Sequence, residues 1–193
     1  MAWRGGDRVA GQTLFERHFD AIHRFFMNKA EADAEELVQQ TFERCTAARE
    51  RFGGRSTFRT FLFGIARNVL LEHYRRERRD VDLDETSVMD MGSGPITLLA
   101  RKQEERLLLE GLRTIPLAMQ TVLELYYFED LTAGELGEIL GMPENTVRTR
   151  IFRARAALVA VLERIAQTPE LLESTTSDLE RWATGLRTEV KIP

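Results

Sequence analysis

Apolar residues recur along most of the chain every three or four positions, which is the spacing of amphipathic α-helices. In the first half, this pattern predicts a helix that begins at a capping box formed by Thr13 and Glu16, a second helix over 33–51 and a long third helix over 57–78. The apolar stripe of the first helix contains Phe15, Phe19, Ile22 and Phe26. The pattern therefore predicts a helical first half.

The helical pattern stops in an acidic segment and then resumes. Residues 80–97 are rich in aspartate, lack aromatic residues and include the run GSGP, a composition typical of a flexible linker. Periodic apolar residues return near Leu98, continue to Ile115 and begin again after Pro116. The fold class that follows is all-α, with two small helical domains joined by a flexible acidic linker.

Residues 131–158 have the features of a helix-turn-helix. A capping box of Thr132 and Glu135 begins its first helix, and Gly141 ends that helix. Pro143 stands where the second helix can begin without losing a backbone hydrogen bond. These punctuating residues predict a short helix joined to a second helix by a tight turn.

The second helix of this motif divides into two faces. Its apolar stripe is Val147, Ile151, Ala154 and Leu158. The opposite face carries Thr149, Phe152, Arg153 and Ala156. Residues 147–158 contain no acidic residue, and an outward aromatic side chain beside arginines indicates an external partner such as a DNA groove. The alternative is a solvated basic helix with one outward phenylalanine.

The long helix over 57–78 also has two stripes. The apolar stripe, which we expect to be buried, contains Phe58, Leu62, Ile65, Ala66 and Val69. The second stripe contains Phe61, Gly64, Asn68 and Arg75. An aromatic ring, a residue without a side chain, an amide and a guanidinium in one row suit single-stranded nucleic acid. The alternative for Asn68 is an ordinary solvated polar residue.

Charge is distributed unevenly along the chain. The net charge of −4 is unfavourable for a protein that binds DNA phosphates. However, 67–79 contains five arginines and two glutamates, and 148–155 contains four arginines and no acid. Between them, 80–94 contains five acids and no base. This pattern favours two DNA-contacting modules separated by a linker that avoids DNA.

Composition excludes several other classes of protein. A single cysteine, Cys45, rules out an internal disulfide and a cysteine-cluster zinc site. His18, His23 and His73 form no recognisable metal or nucleophile motif, so we expect no enzyme, no cofactor and no metal. No apolar run is long enough to span a membrane, and the first residues lack the apolar core of a secretory signal. We therefore expect a cytoplasmic protein without membrane insertion.

Three segments, in this order, are similar to functional parts of one protein family. The first segment, residues 33–44 (DAEELVQQTFER), resembles the part of that family that docks on RNA polymerase. A promoter-melting and minus-ten-reading helix resembles 56–79, STFRTFLFGIARNVLLEHYRRERR. A minus-thirty-five-reading module resembles 125–158, LYYFEDLTAGELGEILGMPENTVRTRIFRARAAL. The chain thus resembles the extracytoplasmic-function (ECF) group of sigma-70-type RNA polymerase sigma factors.

This resemblance implies a division of the chain and a set of site residues. The expected parts are a sigma-2-like domain over 12–79, the linker over 80–97, a sigma-4-like domain over 98–165 and an extension of unknown role over 166–193. The minus-ten contacts would be Arg55, Ser56, Phe61, Arg67, Asn68 and Arg75. The minus-thirty-five contacts would be Asn145, Thr146, Arg148, Thr149, Phe152 and Arg153. The polymerase-docking residues would be Asp33, Glu36, Gln39 and Phe42.

The partners implied are the clamp and flap regions of core RNA polymerase and promoter DNA, and an anti-sigma protein is a further candidate. The chain departs from the family at Phe61, where tryptophan is frequent, and at Gln40, where glutamate is frequent. The alternative function is a stand-alone helix-turn-helix regulator, although that hypothesis leaves residues 33–44 without a role. For the extension, packing onto the second domain is favoured over a regulatory role.

Overall fold

A computed structural model describes residues 2–54, 56–77, 82–91 and 102–177. These residues form eight α-helices and contain no β-strand, in agreement with the predicted all-α class. The helices are α1 (Arg8–Met27), α2 (Ala34–Ala47), α3 (Phe58–Glu77), α4 (Gln103–Thr114), α5 (Leu117–Leu123), α6 (Ala133–Leu140), α7 (Glu144–Ile165) and α8 (Pro169–Ser177). Short 3-10 turns lie at Ala2–Gly5, Glu31–Asp33 and Arg49–Arg51, and a π-helical turn at Glu124–Phe128 continues α5.

The first helix begins earlier than its sequence predicts. The Asp7 carboxylate accepts hydrogen bonds from the backbone N–H groups of Val9 and Ala10, at 2.9 and 3.1 Å, and so caps α1. The predicted capping box at Thr13 is wrong, because the Thr13 hydroxyl donates to the Val9 carbonyl inside the helix. An aspartate placed one turn upstream satisfies the first backbone donors before Thr13 is reached.

Helices α1, α2 and α3 form the first packed unit. The apolar stripes of all three helices meet in one core, as their periodicity predicts. Its fully buried members include Ile22, Phe26, Leu37, Cys45, Leu62, Ala66 and Val69. Burial raises the pKa of the Cys45 thiol to about 12, which agrees with its prediction as a core residue.

Helices α4, α5, α7 and α8 form the core of the second unit. Gly111 on α4 permits a close approach to α7, because a Cβ at this position would lie 2.7 Å from Leu162 Cδ2. Helix α8 packs on α4 and α7, and its Thr175 is fully buried. The described part of the extension, up to residue 177, therefore packs onto the second unit. Residues 178–193 lie outside the described part of the chain.

The helix-turn-helix forms as its punctuating residues predict. The Thr132 hydroxyl accepts from the Glu135 N–H at 3.2 Å, and the Glu135 carboxylate accepts from the Thr132 N–H at 2.9 Å. Gly141 adopts a left-handed conformation with φ of 68° at the end of α6, and α7 begins directly after Pro143. The capping box, the glycine cap and the proline start are all confirmed.

The acidic segment packs closely where it is described. Residues 82–91 form turns in which Val88 and Met91 are buried. The Met89 N–H donates to the Arg113 carbonyl at 3.1 Å, and the Leu117 N–H donates to the Thr86 carbonyl at 3.0 Å. Of the expected linker over 80–97, residues 80–81 and 92–97 lie outside the described part. The described acidic turns thus line the second unit instead of projecting away from it.

The two units pack directly against one another. Helix α6 lies on α3, and the Thr60 hydroxyl donates to the Glu135 carboxylate at 3.3 Å. At the end of α1, the fully buried Lys29 ammonium pairs with the Glu124 carboxylate of the π-helical turn. Burial lowers the pKa of Lys29 below its ordinary value, and the Glu124 charge opposes part of that shift. A buried ion pair therefore joins the two units.

A second ionic contact lies beside the first. The Glu129 carboxylate accepts from Arg24 at 2.7 Å and from Arg59 at 2.8 Å, and the Glu129 side chain is only 4% exposed. Arg24 belongs to α1, Arg59 to α3 and Glu129 to the second unit. One acidic residue of the second unit thus binds two helices of the first unit. We call this packing of the two units against one another the closed arrangement.

Candidate nucleic-acid interface

Helix α7 presents the outward face that its sequence predicts. Val147, Ala154 and Leu158 are buried, while the Phe152 side chain is 75% exposed. The other predicted contacts on or beside this face are also exposed, namely Asn145, Thr146, Arg148, Thr149 and Arg153. The structure therefore brings all six predicted minus-thirty-five residues together on the first turns of one helix.

Local hydrogen bonds order this surface. The Arg148 guanidinium binds the Glu144 carboxylate one turn earlier, at 2.6 Å, which holds the arginine along the helix axis. The Thr149 hydroxyl donates to the Asn145 carbonyl at 3.1 Å. Among the described residues, Phe152 belongs to neither apolar core, and it lies on the helix between Thr149 and Arg153. An ordered row of polar donors around an exposed ring suits the floor of a DNA groove.

Helix α3 carries the predicted minus-ten row on a separate surface. Phe58, Leu62, Ala66 and Val69 of the predicted inward stripe are buried. Asn68 and Arg75 are exposed, whereas Phe61, Gly64 and Arg67 are half-buried. The ring centroid of Phe61 lies 5.1 Å from that of Phe52, so an aromatic pair forms where the row begins. The row is continuous along the helix, with its aromatic end at the first turn.

The loop before α3 is fixed at both ends. Phe52 is buried at its start, and the Thr57 hydroxyl accepts from the Thr60 N–H at 3.1 Å at its end. Ser56 is half-buried, and the hydroxyl that caps α3 is that of Thr57. Arg55 lies outside the described residues. The loop thus leads from a buried ring directly to the row on α3.

Arginines of α3 and α7 converge on one cleft between the units. Arg67 and Arg75 of α3 and Arg150 of α7 line a cavity of about 210 Å³ together with Asp82 and Asp84. The Asp84 carboxylate lies 3.6 Å from the Arg150 guanidinium. Burial lowers the pKa of Arg67, and the nearby positive charge of Arg150 lowers it further. In the closed arrangement, an acidic turn therefore lies between arginines of α3 and an arginine of α7.

The predicted docking residues lie along α2 and the turn before it. Glu36 and Gln39 are exposed, and Asp33 is half-buried in the turn before α2. Phe42 is half-buried, with its ring centroid 4.7 Å from that of Phe15. We call these four residues the docking strip; its Asp33 end lies beside His73 of α3, and its Phe42 end lies beside Phe15 of α1.

Two sigma-factor families match the chain. Residues 14–80 match the family described as Sigma-70 region 2, and residues 105–158 match Sigma-70, region 4. The ECF RNA polymerase sigma-E factor of Escherichia coli K12 is 30% identical over 165 residues, which are 79% of this chain and 86% of that protein. This chain belongs to the ECF sigma-70 family.

Solved structures show the same fold as this sigma factor. CnrH in complex with the cytosolic domain of CnrY aligns with a TM-score of 0.62 and 25% identity, over 84% of this chain and 94% of that chain. The sigma factor RpoE from Bartonella quintana, in complex with the anti-sigma factor NepR, aligns with a TM-score of 0.62 and 20% identity. It covers 81% of this chain and 98% of that chain. The predicted two-domain helical class is thus confirmed.

The protein is therefore a sigma factor that binds core RNA polymerase and directs promoter recognition and transcription initiation. The stand-alone helix-turn-helix regulator is not favoured, because both sigma regions are present in the order that the family requires. The members of this family are initiation factors. Within the described residues, no helix has the length and apolar character needed to cross a membrane.

Sequence reasoning missed an apolar surface of this sigma factor beside α2. Phe19, which the periodicity places in the core, is 40% exposed and its ring stacks parallel to that of Phe42 at 6.4 Å. An open groove next to these rings runs between α1, α2 and the turn that contains Trp3. The exposed aromatics extend the predicted docking strip, and only the positions of α1 and α2 in space could show this.

One cluster of possible metal ligands lies near the docking strip. His73 Nε2 is 3.7 Å from the Asp33 carboxylate and 3.6 Å from the Glu77 carboxylate, and the three donor atoms lie within 4.8 Å of one another. Both carboxylates are largely solvated, so pairing with a protonated imidazole accounts for the same geometry. The DNA-reading rows do not include this cluster.

Proposed function

We propose that α3 and the loop over 51–57 open and read the minus-ten element, that α7 reads the minus-thirty-five element, and that α2 docks on polymerase. One observation carries this assignment: the predicted contacts on α3 and α7 form rows on two different helices, half-buried to exposed on α3 and fully exposed on α7. A single DNA-binding surface needs only one such row. Two rows suit a protein that holds duplex DNA at one point and single-stranded DNA at another.

In the minus-ten row, each side chain has a distinct task. Phe61 provides a stacking surface for an unpaired base, and the exposed Asn68 amide can donate to and accept from a base edge. Arg67 and Arg75 neutralise phosphates of the same strand, with Arg55 and Ser56 contributing from the loop. The gap at Gly64 lets the strand approach the helix backbone.

In the minus-thirty-five row, the first turn of α7 provides position and its exposed face provides specificity. The backbone N–H of Asn145 lies in the first turn of α7, where a phosphate is favoured, whereas the N–H of Thr146 donates to the Pro143 carbonyl at 2.9 Å and only its side chain is available. Arg148 and Arg153 reach guanine edges or phosphates, with Thr149 beside them, and Phe152 covers a thymine methyl group. Phosphate contacts thus fix the register in which the exposed face meets the bases.

The docking strip on α2 binds the polymerase clamp, and the second unit binds the flap. The strip of Asp33, Glu36, Gln39 and Phe42 offers two acids and an amide beside an aromatic ring, a mixture of polar and apolar groups that suits a protein interface. The adjoining ring of Phe19 enlarges the apolar area. An anti-sigma protein is a candidate for the same strip, because covering it would block assembly with polymerase.

The closed arrangement must open before both promoter elements are bound. Elements at minus ten and minus thirty-five lie about 25 base pairs apart, which is roughly 85 Å of duplex at about 3.4 Å per base pair. A compact chain of this length has a radius of gyration of about 16 Å. The ion pairs of Lys29 and Glu129 therefore break, or are exchanged for polymerase contacts, when the sigma factor assembles with polymerase on DNA.

We place this function in the cytoplasm, where promoter DNA and polymerase are found, and assign no catalytic group to the chain. RNA synthesis is performed by the polymerase, whereas this chain supplies binding energy and specificity. Cys45 is buried with a raised pKa, so it does not serve as a nucleophile.

Transcription in vitro with core polymerase tests the two rows separately. Asn68→Ala should reduce initiation about tenfold on every template that must be opened, because the base-edge contact of the minus-ten row is lost. Phe152→Ala should reduce initiation only on templates with an intact minus-thirty-five element. The exposed Glu163, near the far end of α7, provides a control substitution to Gln. The same template dependence for Asn68→Ala and Phe152→Ala would contradict the assignment.

A further inference from the structure

A buried tryptophan lies outside both regions that match the family. Trp3 belongs to the 3-10 turn Ala2–Gly5, and its side chain is 4% exposed. The turn closes through a hydrogen bond of 2.9 Å from the Gly6 N–H to the Trp3 carbonyl. The match to Sigma-70 region 2 begins only at residue 14. The chain therefore adds a large ring to the first unit from a segment without a family assignment.

Helix α1 is shaped to receive this ring. A Cβ at Gly11 would lie 3.0 Å from Trp3 Cδ1 and 3.5 Å from Trp3 Nε1. Contacts of 3.0 Å are too short for carbon atoms, so an alanine at this position would push the indole outward. A glycine inside a helix costs stability relative to alanine, and here that cost gives room for Trp3.

Trp3 contacts Phe52, near the start of the loop over 51–57, and Phe58, which directly follows that loop. Its ring packs edge-to-face on Phe58 at 5.0 Å and lies 6.2 Å from Phe52. Phe52 in turn lies 6.1 Å from Phe58 and 5.1 Å from Phe61. We call these four residues the aromatic chain. It connects the turn that contains Trp3 to the stacking residue of the minus-ten row.

The loop itself has little means to hold its shape. Gly53 and Gly54 are exposed, and Gly54 has a φ of +71° with no other atom within 4 Å of its Cβ direction. Glycines leave the backbone many accessible conformations. The position of this loop therefore depends on its two ends, which are the phenylalanines that Trp3 contacts.

We propose that Trp3 is a positioning residue for minus-ten recognition: through Phe52 and Phe58 it holds the loop and Phe61 in the geometry that receives an extruded base of the open strand. This inference rests on the proposed role of the loop and of α3. Trp3 itself touches no DNA, since its ring is buried beneath the loop. Trp3 affects how selectively the site binds the extruded base, and it does so through the other rings of the aromatic chain.

A ratio of affinities separates positioning from a general contribution to folding. A variant that only lowers the folded fraction weakens binding to every strand by the same factor. The ratio between a matched strand and a strand that lacks the extruded base is then unchanged. A displaced loop weakens binding of the matched strand alone, because only that strand fills the site.

The experiment uses holoenzyme assembled from the full chain and core polymerase. The probes are fluorescent single strands with the nontemplate minus-ten sequence of a promoter that this chain transcribes, with the extruded base present or replaced by an abasic residue. We expect Trp3→Ala to lower the matched-to-abasic affinity ratio at least fivefold and Trp3→Phe to restore at least half of it. Gly11→Ala keeps the indole but displaces it, and should lower the ratio at least twofold.

Ile22→Ala is the matched control, because it truncates a fully buried side chain of α1 outside the aromatic chain. It should leave the ratio unchanged. Equal ratios for wild type, Trp3→Ala and Gly11→Ala would overturn the inference, as would an equal loss in Ile22→Ala. If Trp3→Ala fails to fold, the matched-to-abasic affinity ratio of Gly11→Ala tests the inference instead. A wild-type holoenzyme that does not distinguish the two strands would instead refute the proposed role of the loop itself.

Discussion

Replacing Lys29 with methionine tests the ion pair that holds the two units together. The Lys29 ammonium pairs with Glu124, donates to the Phe25 carbonyl at 2.8 Å and lies 4.0 Å from the centroid of the Phe25 ring. Methionine keeps most of the apolar volume but removes the charge. The Glu124 carboxylate then keeps the hydrogen bonds from the neutral amides of Asn28 at 2.9 Å and Gln120 at 2.8 Å, together with the attraction of the Arg113 charge.

The expected cost follows from the burial of both groups. Removing one partner of a buried ion pair costs about 3–5 kcal/mol, because the remaining charge stays buried without compensation. Since the pair spans the two units, this energy is lost from their closed arrangement. A loss of about 3 kcal/mol changes the equilibrium between closed and open forms more than a hundredfold, at roughly 1.4 kcal/mol per factor of ten.

Two measurements read out this change. Small-angle X-ray scattering should give a compact wild type and an expanded Lys29→Met variant, and urea denaturation should show the loss of stability. The double variant Lys29→Met with Glu124→Gln removes both charges and should regain most of the compactness and stability. The exposed Lys102 provides a control, and its substitution by methionine should change stability by no more than about 0.5 kcal/mol.

Two results would refute the reasoning. One is a Lys29→Met variant with the wild-type radius of gyration and stability. The other is a double variant as unstable as the single one, which would show that lost packing, and not an unpaired charge, causes the effect.

Three further predictions concern local structure. Gly137→Ala should cost about 1–3 kcal/mol in thermal unfolding, because its Cβ would lie 2.7 Å from the Met142 carbonyl oxygen; Gly134→Ala, whose Cβ would meet nothing closer than 3.7 Å, should be tolerated. Thr132→Ala should cost about 1 kcal/mol through loss of the α6 capping box, while Thr132→Ser should restore most of it. Because the pKa of Cys45 is raised to about 12, iodoacetamide should not label it at pH 8 until urea unfolds the chain, and rapid labelling of the native protein would contradict its burial.

The faces of α3 and α7 could be predicted from the sequence because helical periodicity records which side chains meet water. Val147 and Leu158 point inward and Phe152 outward, as the spacing requires. The helix-turn-helix boundaries were also predictable, since Thr132, Glu135 and Gly141 act through hydrogen bonds and backbone conformation within a few residues. Local signals of this kind need no knowledge of the rest of the fold.

Packing between the units could not be predicted in this way. Lys29 resembles any surface lysine in the sequence, and only its contact with a glutamate 95 positions away makes its burial possible. Phe19 fits the apolar stripe of α1 but is 40% exposed, because its ring lies at the edge of the contact with Phe42 of α2 and borders an open groove. Trp3 gave no periodic signal, since a single turn has none. The predicted start of α1 was wrong because both Asp7 and Thr13 can cap a helix, and the spacing of Thr13 and Glu16 indicated the second residue.

Initiation from a promoter library with core RNA polymerase tests the central claim most directly. If the chain is an ECF sigma factor, polymerase should start at defined positions only when the chain is present, and the selected promoters should share two elements about 25 base pairs apart. The free chain should show weak binding or none to the same DNA. Tight sequence-specific binding by the free chain, with no initiation when polymerase is added, would contradict the account.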